Sequence, residues 1–303
     1  MLDLLAIGEV MAELRRDSEG EFQVGFAGDT FNTAVYCRRA LGAEGHVSYL
    51  TRLGRDSLSQ EAIRFARNEG FETESIELTD CAQIGIYSVA TDAAGERSFS
   101  YWRDSSAARG LFSDERPVSL PSARIIYLSG ITLAILQPDA RHRLMDYLSD
   151  ISSADDALVA FDSNYRSALW ENVETARTVT ERMWEVADIA LPSLDDELAL
   201  FGEANEEEVV ARFAKRAWTA CAIKRGVQGP LSTTISEADL PAFEPAARVL
   251  DTTAAGDSFN GGYLAAFLRG SSEAECLSHG HALAAQVVQH SGAIVSADAL
   301  EDG

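Results

Sequence analysis

Lysine is nearly missing from this chain. Only Lys215 and Lys224 occur, and neither stands in a Gly-x-x-x-x-Gly-Lys context. P-loop and protein-kinase chemistries, which need a lysine in a set motif, are excluded. No Gly-x-Gly-x-x-Gly follows the first apolar segment, so a Rossmann dehydrogenase has no support. Cysteine is sparse: Cys37, Cys81, Cys221 and Cys276 are far apart and show no Cys-x-x-Cys spacing. They read as buried thiols in a reducing compartment. His279 and His281 lie two apart, which on a helix turns them to different faces, so no protein-held metal is expected. No apolar run approaches membrane-spanning length. The opening Leu2–Gly8 segment is short and carries Asp3 in place of Arg or Lys, so no signal peptide is expected and the protein is read as soluble and cytoplasmic. Positive charge is scarce as well: 25 Lys and Arg face 48 Asp and Glu, a net −23. Such a surface repels nucleic acid and anionic membranes, which removes both as expected partners.

What is present is an alternation of apolar strand patterns and helical patterns. Leu4–Val10, Val47–Thr51, Ile125–Ser129, Leu158–Asp162, Ile189–Leu191 and Cys221–Lys224 read as buried strands, with Thr30–Leu41 and Leu58–Asn68 among the helices between them. That rhythm predicts an α/β fold with a mostly parallel central sheet flanked by helices, and ligands bound outside the carboxyl ends of its strands. Two stretches break the rhythm with strict alternation, 13–26 and 83–103. They predict a small discontinuous β-sheet lid within a single domain spanning 1–303, with Asp92–Gly95 as a turn. An exposed lid offers an edge for homo-oligomer formation. The tail from Ser296 reads as loose.

The densest chemical signal is Asp251-Thr252-Thr253-Ala254-Ala255-Gly256-Asp257-Ser258, which runs directly into an apolar helical pattern. A helix that starts on small residues aims free N–H groups and a positive dipole end forward, a site that suits phosphate. Ala254, Ala255 and Gly256 would let an anion approach that backbone. Asp257, in the first turn, is then placed to take a proton from a hydroxyl while the N–H groups hold developing charge. Read alone, Asp257 serves equally as an acid stabilising a helix start.

The whole string resembles the C-terminal signature of the ribokinase-like (PfkB-type) carbohydrate kinases, Asp-Thr-Thr-Gly-Ala-Gly-Asp, with Ala254 in place of a glycine. The stretch Gly28–Gly42 and then Leu53-Gly54-Arg55-Asp56 resembles the N-terminal signature of the same family, and the two occur in the expected order. The resemblance runs from Leu4 to Ile294. It implies a ribokinase-like fold and ATP-dependent phosphorylation of a sugar, with Mg²⁺ accompanying the nucleotide. The Ala254 variant and the set Gly28-Asp29-Thr30-x-Asn32, lid Tyr and Arg, and Asn164-Tyr165-Arg166 are similar to the 2-keto-3-deoxygluconate kinase branch. That branch implies sugar-acid contacts at Gly28, Asp29, Asn32, Tyr87, Tyr101, Arg103, Asn164 and Arg166. An arginine suits a carboxylate because it donates two parallel hydrogen bonds. The same residues have plainer readings: a helix cap at Asp29 or Thr30, a packed Tyr101-Trp102 pair, a loop arginine at Arg166 paired to an acid.

On the nucleotide side, Lys224-Arg225-Gly226-Val227-Gln228-Gly229 resembles the family's adenosine-binding loop, though it also reads as a tight turn. Ser193 and Asp196 stand where the family has Asn-x-x-Glu, and His281 where many relatives have Asn beside the adenine. Three other readings stay open: a kinase of the same family for a neutral sugar such as fructose or ribose, a non-catalytic sugar-acid sensor, and an interaction protein using the acidic surface. Arg103 and Arg166 speak against a neutral sugar, which would leave two desolvated cations unpaired.

Overall fold

The computed structural model describes residues 1–16, 20–91, 97–114, 117–154 and 156–301. In chain order the strands are β1 (Leu2–Ile7), β2 (Met11–Arg16), β3 (Phe22–Ala27), β4 (Val47–Leu53), β5 (Ile76–Leu78), β6 (Gly85–Thr91), β7 (Arg97–Trp102), β8 (Ala123–Ser129), β9 (Leu158–Asp162), β10 (Ile189–Ala190) and β11 (Ala220–Cys221). The helices are α1 (Asp29–Leu41), α2 (Ser57–Asn68), α3 (Gly130–Ile135), α4 (Pro138–Ser153), α5 (Val173–Val186), α6 (Leu194–Phe201), α7 (Glu206–Phe213), α8 (Ala255–Leu268), α9 (Glu273–Val287) and α10 (Asp298–Glu301).

Seven strands form one parallel sheet in the order β11-β10-β9-β8-β1-β4-β5. Its central strands are apolar on both faces because both faces are covered. Leu4 and Ala6 of β1 enter one core with Phe31 and Val35 of α1 and Phe259 and Tyr263 of α8. Leu5 and Ile7 enter the other, with Leu144 of α4 and Met183 and Trp184 of α5. The chain grows outward from β1 through β4 to β5, then returns to the other side of β1 at β8. The strand order therefore reverses between β1 and β8, and a crevice opens outside their carboxyl ends.

The two alternating stretches meet in a second sheet, ordered β3-β2-β6-β7. β2 pairs antiparallel with β3 and parallel with β6, and β6 pairs antiparallel with β7. This small sheet stands over the crevice.

The structure corrects several expectations. β1 stops at Ile7 and leaves Glu9 and Val10 outside the strand: the Gly8 N–H bonds the Leu50 carbonyl at 3.2 Å and the chain then turns toward β2. The tail is not loose up to Glu301, since α10 forms there and Ala299 and Leu300 pack against Tyr36, Val287 and Val295. Cys81 is exposed, unlike the buried Cys37, Cys221 and Cys276; all four are free thiols. The turn expected at Asp92–Gly95 lies outside the described residues.

Candidate active site

The parallel sheet delivers one polar residue after another to its carboxyl edge. Glu9 follows β1, Ser129 ends β8, Asp162 ends β9, Ser193 follows β10 and Lys224 follows β11. The N-termini of α1 and α8 close over that edge and bring Asp29 and Asp257. Gly28 lets α1 come so near: a Cβ at this position would stand 2.0 Å from the Glu9 carbonyl oxygen.

A cavity of about 500 Å³ lies between this edge and the small sheet. Of the residues singled out in the sequence, Gly28, Asp29, Asn32, Tyr87, Tyr101, Arg103, Asn164, Arg166, Ser193, Asp196, Lys224 and the run Ala254–Asp257 line it. A second cavity of about 450 Å³ adjoins it, lined by Gly226, Val227, Val249, Phe259, His281 and Val288 among others. Ser193, Lys224, Thr252, Ala255 and Gly256 belong to both. The start of α8 is thus the junction of the two spaces. Gly229 lines neither; its φ of +76° shapes the loop, and a Cβ there would meet the Phe243 ring at 2.6 Å. The His281 ring packs 5.0 Å from that of Phe243, and its Nε2 lies 2.7 Å from the Glu244 carbonyl.

Asp257 is half-buried in the first turn of α8. The Asn32 amide donates to its Oδ2 at 2.8 Å, and the Thr33 hydroxyl donates to its carbonyl at 3.1 Å. Burial, then the nearby Asp29 carboxylate, push its carboxyl up to about 8. Ala254 caps the helix in the left-handed region at φ +59°, a conformation that costs an L-residue about 1 kcal/mol and that glycine takes freely. The Ala255 N–H is engaged by the Thr252 carbonyl at 3.2 Å. Of the three N–H groups singled out in the sequence, those of Ala254 and Gly256 are left for an anion, with that of Asp257 next along.

Beneath these residues lies a buried network. Lys224 Nζ donates to Asp162 Oδ2 at 2.7 Å and to Asn260 Oδ1 at 3.1 Å. Asn260 donates to the same Asp162 oxygen at 2.7 Å and to the Tyr127 hydroxyl at 3.1 Å. Asp29 accepts from the Ser129 hydroxyl and, at 3.1 Å, from the Asn164 amide. Burial raises its carboxyl.

The two arginines correct the inference made from sequence. Arg103 is buried and ion-paired with Glu9, itself only 2 % exposed. Arg166 is exposed and pairs with Asp196 at 3.2 Å. Neither cation is without a partner when the cavity holds no acid, so their presence alone does not exclude a neutral sugar. Burial holds the Glu9 carboxyl above its usual range, though Arg103 opposes this. Sequence reasoning missed Glu9, Asp162, Ser129 and Asn260 as members of the site. Their one available signal was position, since Glu9, Ser129 and Asp162 each sit at or just past the end of an apolar strand.

The chain matches the model of the pfkB family carbohydrate kinases over residues 1–300 and belongs to that family, which makes it a sugar kinase. Its relatives narrow the comparison. It is 40 % identical over 306 residues to the 2-dehydro-3-deoxygluconokinase of Dickeya dadantii (strain 3937), and 39 % identical over 305 residues to that of Escherichia coli (strain K12), with 98 % of each chain covered in both cases. The crystal structure of a PfkB protein from Polaromonas sp. JS666 superposes with a TM-score of 0.82 at 25 % identity, over 100 % of both chains. The ribokinase-like α/β fold expected from the sequence is the fold observed. No helix among the described residues is long and apolar enough to cross a membrane.

Proposed function

We propose that this protein transfers the terminal phosphoryl group of ATP to the terminal hydroxyl of 2-dehydro-3-deoxygluconate (2-keto-3-deoxygluconate), giving the 6-phosphate. The observation that carries the reading is the junction: an acid with a raised pKa stands at a helix N-terminus that two adjoining cavities share. The relatives named above, similar over nearly their whole length, supply the substrate.

In this reading the charged cavity takes the sugar acid and the second cavity takes the nucleotide. The hydroxyl proton passes to the Asp257 carboxylate, a bond forms from the sugar oxygen to the γ-phosphorus, and the bond from phosphorus to the ADP oxygen breaks. The N–H groups at the start of α8 hold the charge on the transferring group, and the remainder is positioning. Asn32 orients Asp257. Arg103 and Arg166 contact the polar end of the sugar, with Tyr87 and Tyr101 beside them, and the small sheet acts as a lid. Lys224, Ser193, Gly226 and His281 lie on the nucleotide path, and Asp196 faces its phosphates from the sugar side of the junction.

Among the described residues no group of three or more His, Cys, Asp or Glu could hold a metal ion. Asp196, which faces the cavity, would help hold Mg²⁺ brought in with the nucleotide, and the ion would supply positive charge to offset that of the phosphates. The exposed apolar residues of the small sheet, Phe22, Val24, Phe99 and Trp102, support a second copy of the chain covering that face, which sedimentation would detect. The free thiols and the ATP requirement support a cytoplasmic setting.

The test is ATP consumption by the purified protein with Mg²⁺ on 2-dehydro-3-deoxygluconate, fructose and ribose. Turnover confined to the sugar acid is expected. Turnover on a neutral sugar alone overturns the substrate, and no turnover on any sugar favours a sensor.

A further inference from the structure

Resting on that reading of the reaction, we propose that Lys224 is a catalytic residue: its ammonium holds the terminal phosphate at the junction and stays on it as the phosphoryl group passes from nucleotide to sugar. Three observations converge on this side chain. It is only 9 % exposed and lines both cavities, so its small exposed part faces the path between them. Its Nζ makes two hydrogen bonds, to Asp162 at 2.7 Å and Asn260 at 3.1 Å, which leaves one of the three ammonium donors for a ligand. It also stands against the first turn of α8: a Cβ at Gly256 would lie 3.7 Å from Nζ. The ammonium therefore lies beside the turn that carries the free N–H groups.

The field of the cavity gives this cation a task. Five acidic side chains line the sugar side: Glu9, Asp29, Asp162, Asp196 and Asp257. An incoming phosphate meets that acidic wall at the junction. Arg103 and Arg166 are tied to Glu9 and Asp196, and among the described residues Lys224 is the cation that reaches both spaces. A merely structural pair with Asp162 is a weak explanation, because a buried ion pair is seldom worth more than apolar side chains of the same size. The same cation opposes the upward shift of Asp257, so it also serves the base. In the transfer Lys224 keeps its proton; the hydroxyl proton goes to Asp257, and ADP leaves with the oxygen that bridged it to the γ-phosphorus.

The experiment compares calorimetric affinities for a non-hydrolysable ATP analogue and for ADP, each with Mg²⁺. The variants are Lys224→Arg, Asp162→Asn and the pair Lys224→Met with Asp162→Asn, which removes both charges and leaves no buried acid uncompensated. The double variant should lose about tenfold or more of its affinity for the ATP analogue, keep ADP binding within about threefold, and show kcat lower by roughly 10². Asp162→Asn alone and Lys224→Arg should keep the preference for the analogue. A folded double variant that prefers the analogue over ADP as the parent does overturns the proposal. The binding comparison needs no sugar, so it tests Lys224 even where the parent turns over no 2-dehydro-3-deoxygluconate.

Discussion

The floor and the roof of the sugar-side cavity are built in opposite ways. The floor is the carboxyl edge of the parallel sheet with α1 and α8. Its polar groups are tied several times over: Asp162 alone receives Lys224, Asn260 and the Asn164 N–H, the last at 3.2 Å. The roof is the small sheet, where polar side chains have fewer ties. Tyr87 gives its hydroxyl to Glu13 at 2.8 Å, Arg103 rests on Glu9, and Tyr101 is 53 % exposed, stacked 5.8 Å from Tyr87. A floor held by many bonds fixes the reacting groups closely, as transfer chemistry requires. A roof held by few can change its side chains, and hence its sugar, without disturbing that chemistry.

The comparison breaks first at Asp257. Asp257→Asn keeps the shape and can still accept from Asn32, so sugar binding should stay within a few-fold while kcat falls by about 10² or more. Steady-state kinetics beside calorimetry with the sugar acid would check this. A kcat within about threefold of the parent removes Asp257 from the floor's chemistry.

The same residue sets activity and stability against each other in pH. A base must be deprotonated, so kcat/KM should climb with pH through a midpoint near 8 to a plateau above it, and Asp257→Asn should flatten that limb. For stability the sign is reversed. The folded carboxyl titrates at about 8, above the ordinary 3.8, so between those values the unfolded chain binds fewer protons than the folded one. The contribution of this group is fully present below pH 3.8 and is lost as pH rises toward 8. Asp257→Asn should therefore melt a few degrees above the parent at about pH 8 and no higher at about pH 4. Melting curves at both pH values decide it, and a lower melting temperature at the higher pH contradicts the burial argument.

The floor was also the more legible region. Its central string from Asp251 to Ser258 is contiguous, and Glu9, Ser129 and Asp162 fall at strand ends that apolar runs disclose. What joins them was not legible. Asp29 meets Ser129 and Asn164 because β1 lies beside β8 and β8 beside β9, an order that the local pattern does not state. The pairing of Arg103 with Glu9 depends on β6 adding to β2 so that β7 returns over β1, and the sequence offered Arg103 only as an unpaired cation. For Arg166 the sequence left open a pairing with an acid but could not name it, its partner Asp196 lying a helix and a strand further on.

The roof yields at its buried ion pair. Arg103→Met leaves Glu9 buried and uncompensated and should cost about 3–5 kcal/mol of stability. Adding Glu9→Gln should return most of that loss, while KM for the sugar acid stays raised by about tenfold. Denaturant unfolding of the single and double variants separates the two effects. A double variant with the parent's KM would take Arg103 out of sugar recognition and leave it a strut between β7 and the turn after β1.

The smallest effect should come from Tyr101. Its ring is half in solvent and stacks on Tyr87 and Phe99 at 5.8 and 6.3 Å, contacts worth about 1 kcal/mol at most in so open a setting. Tyr101→Ala removes no buried group and leaves no charge unpaired, so the melting temperature should move by about a degree. Tyr101 lines the sugar-side cavity, so KM should still rise by a few-fold while kcat holds. A fall in kcat with KM unchanged would mean that the roof takes part in the transfer itself, and the division between a chemical floor and a selective roof would have to be redrawn.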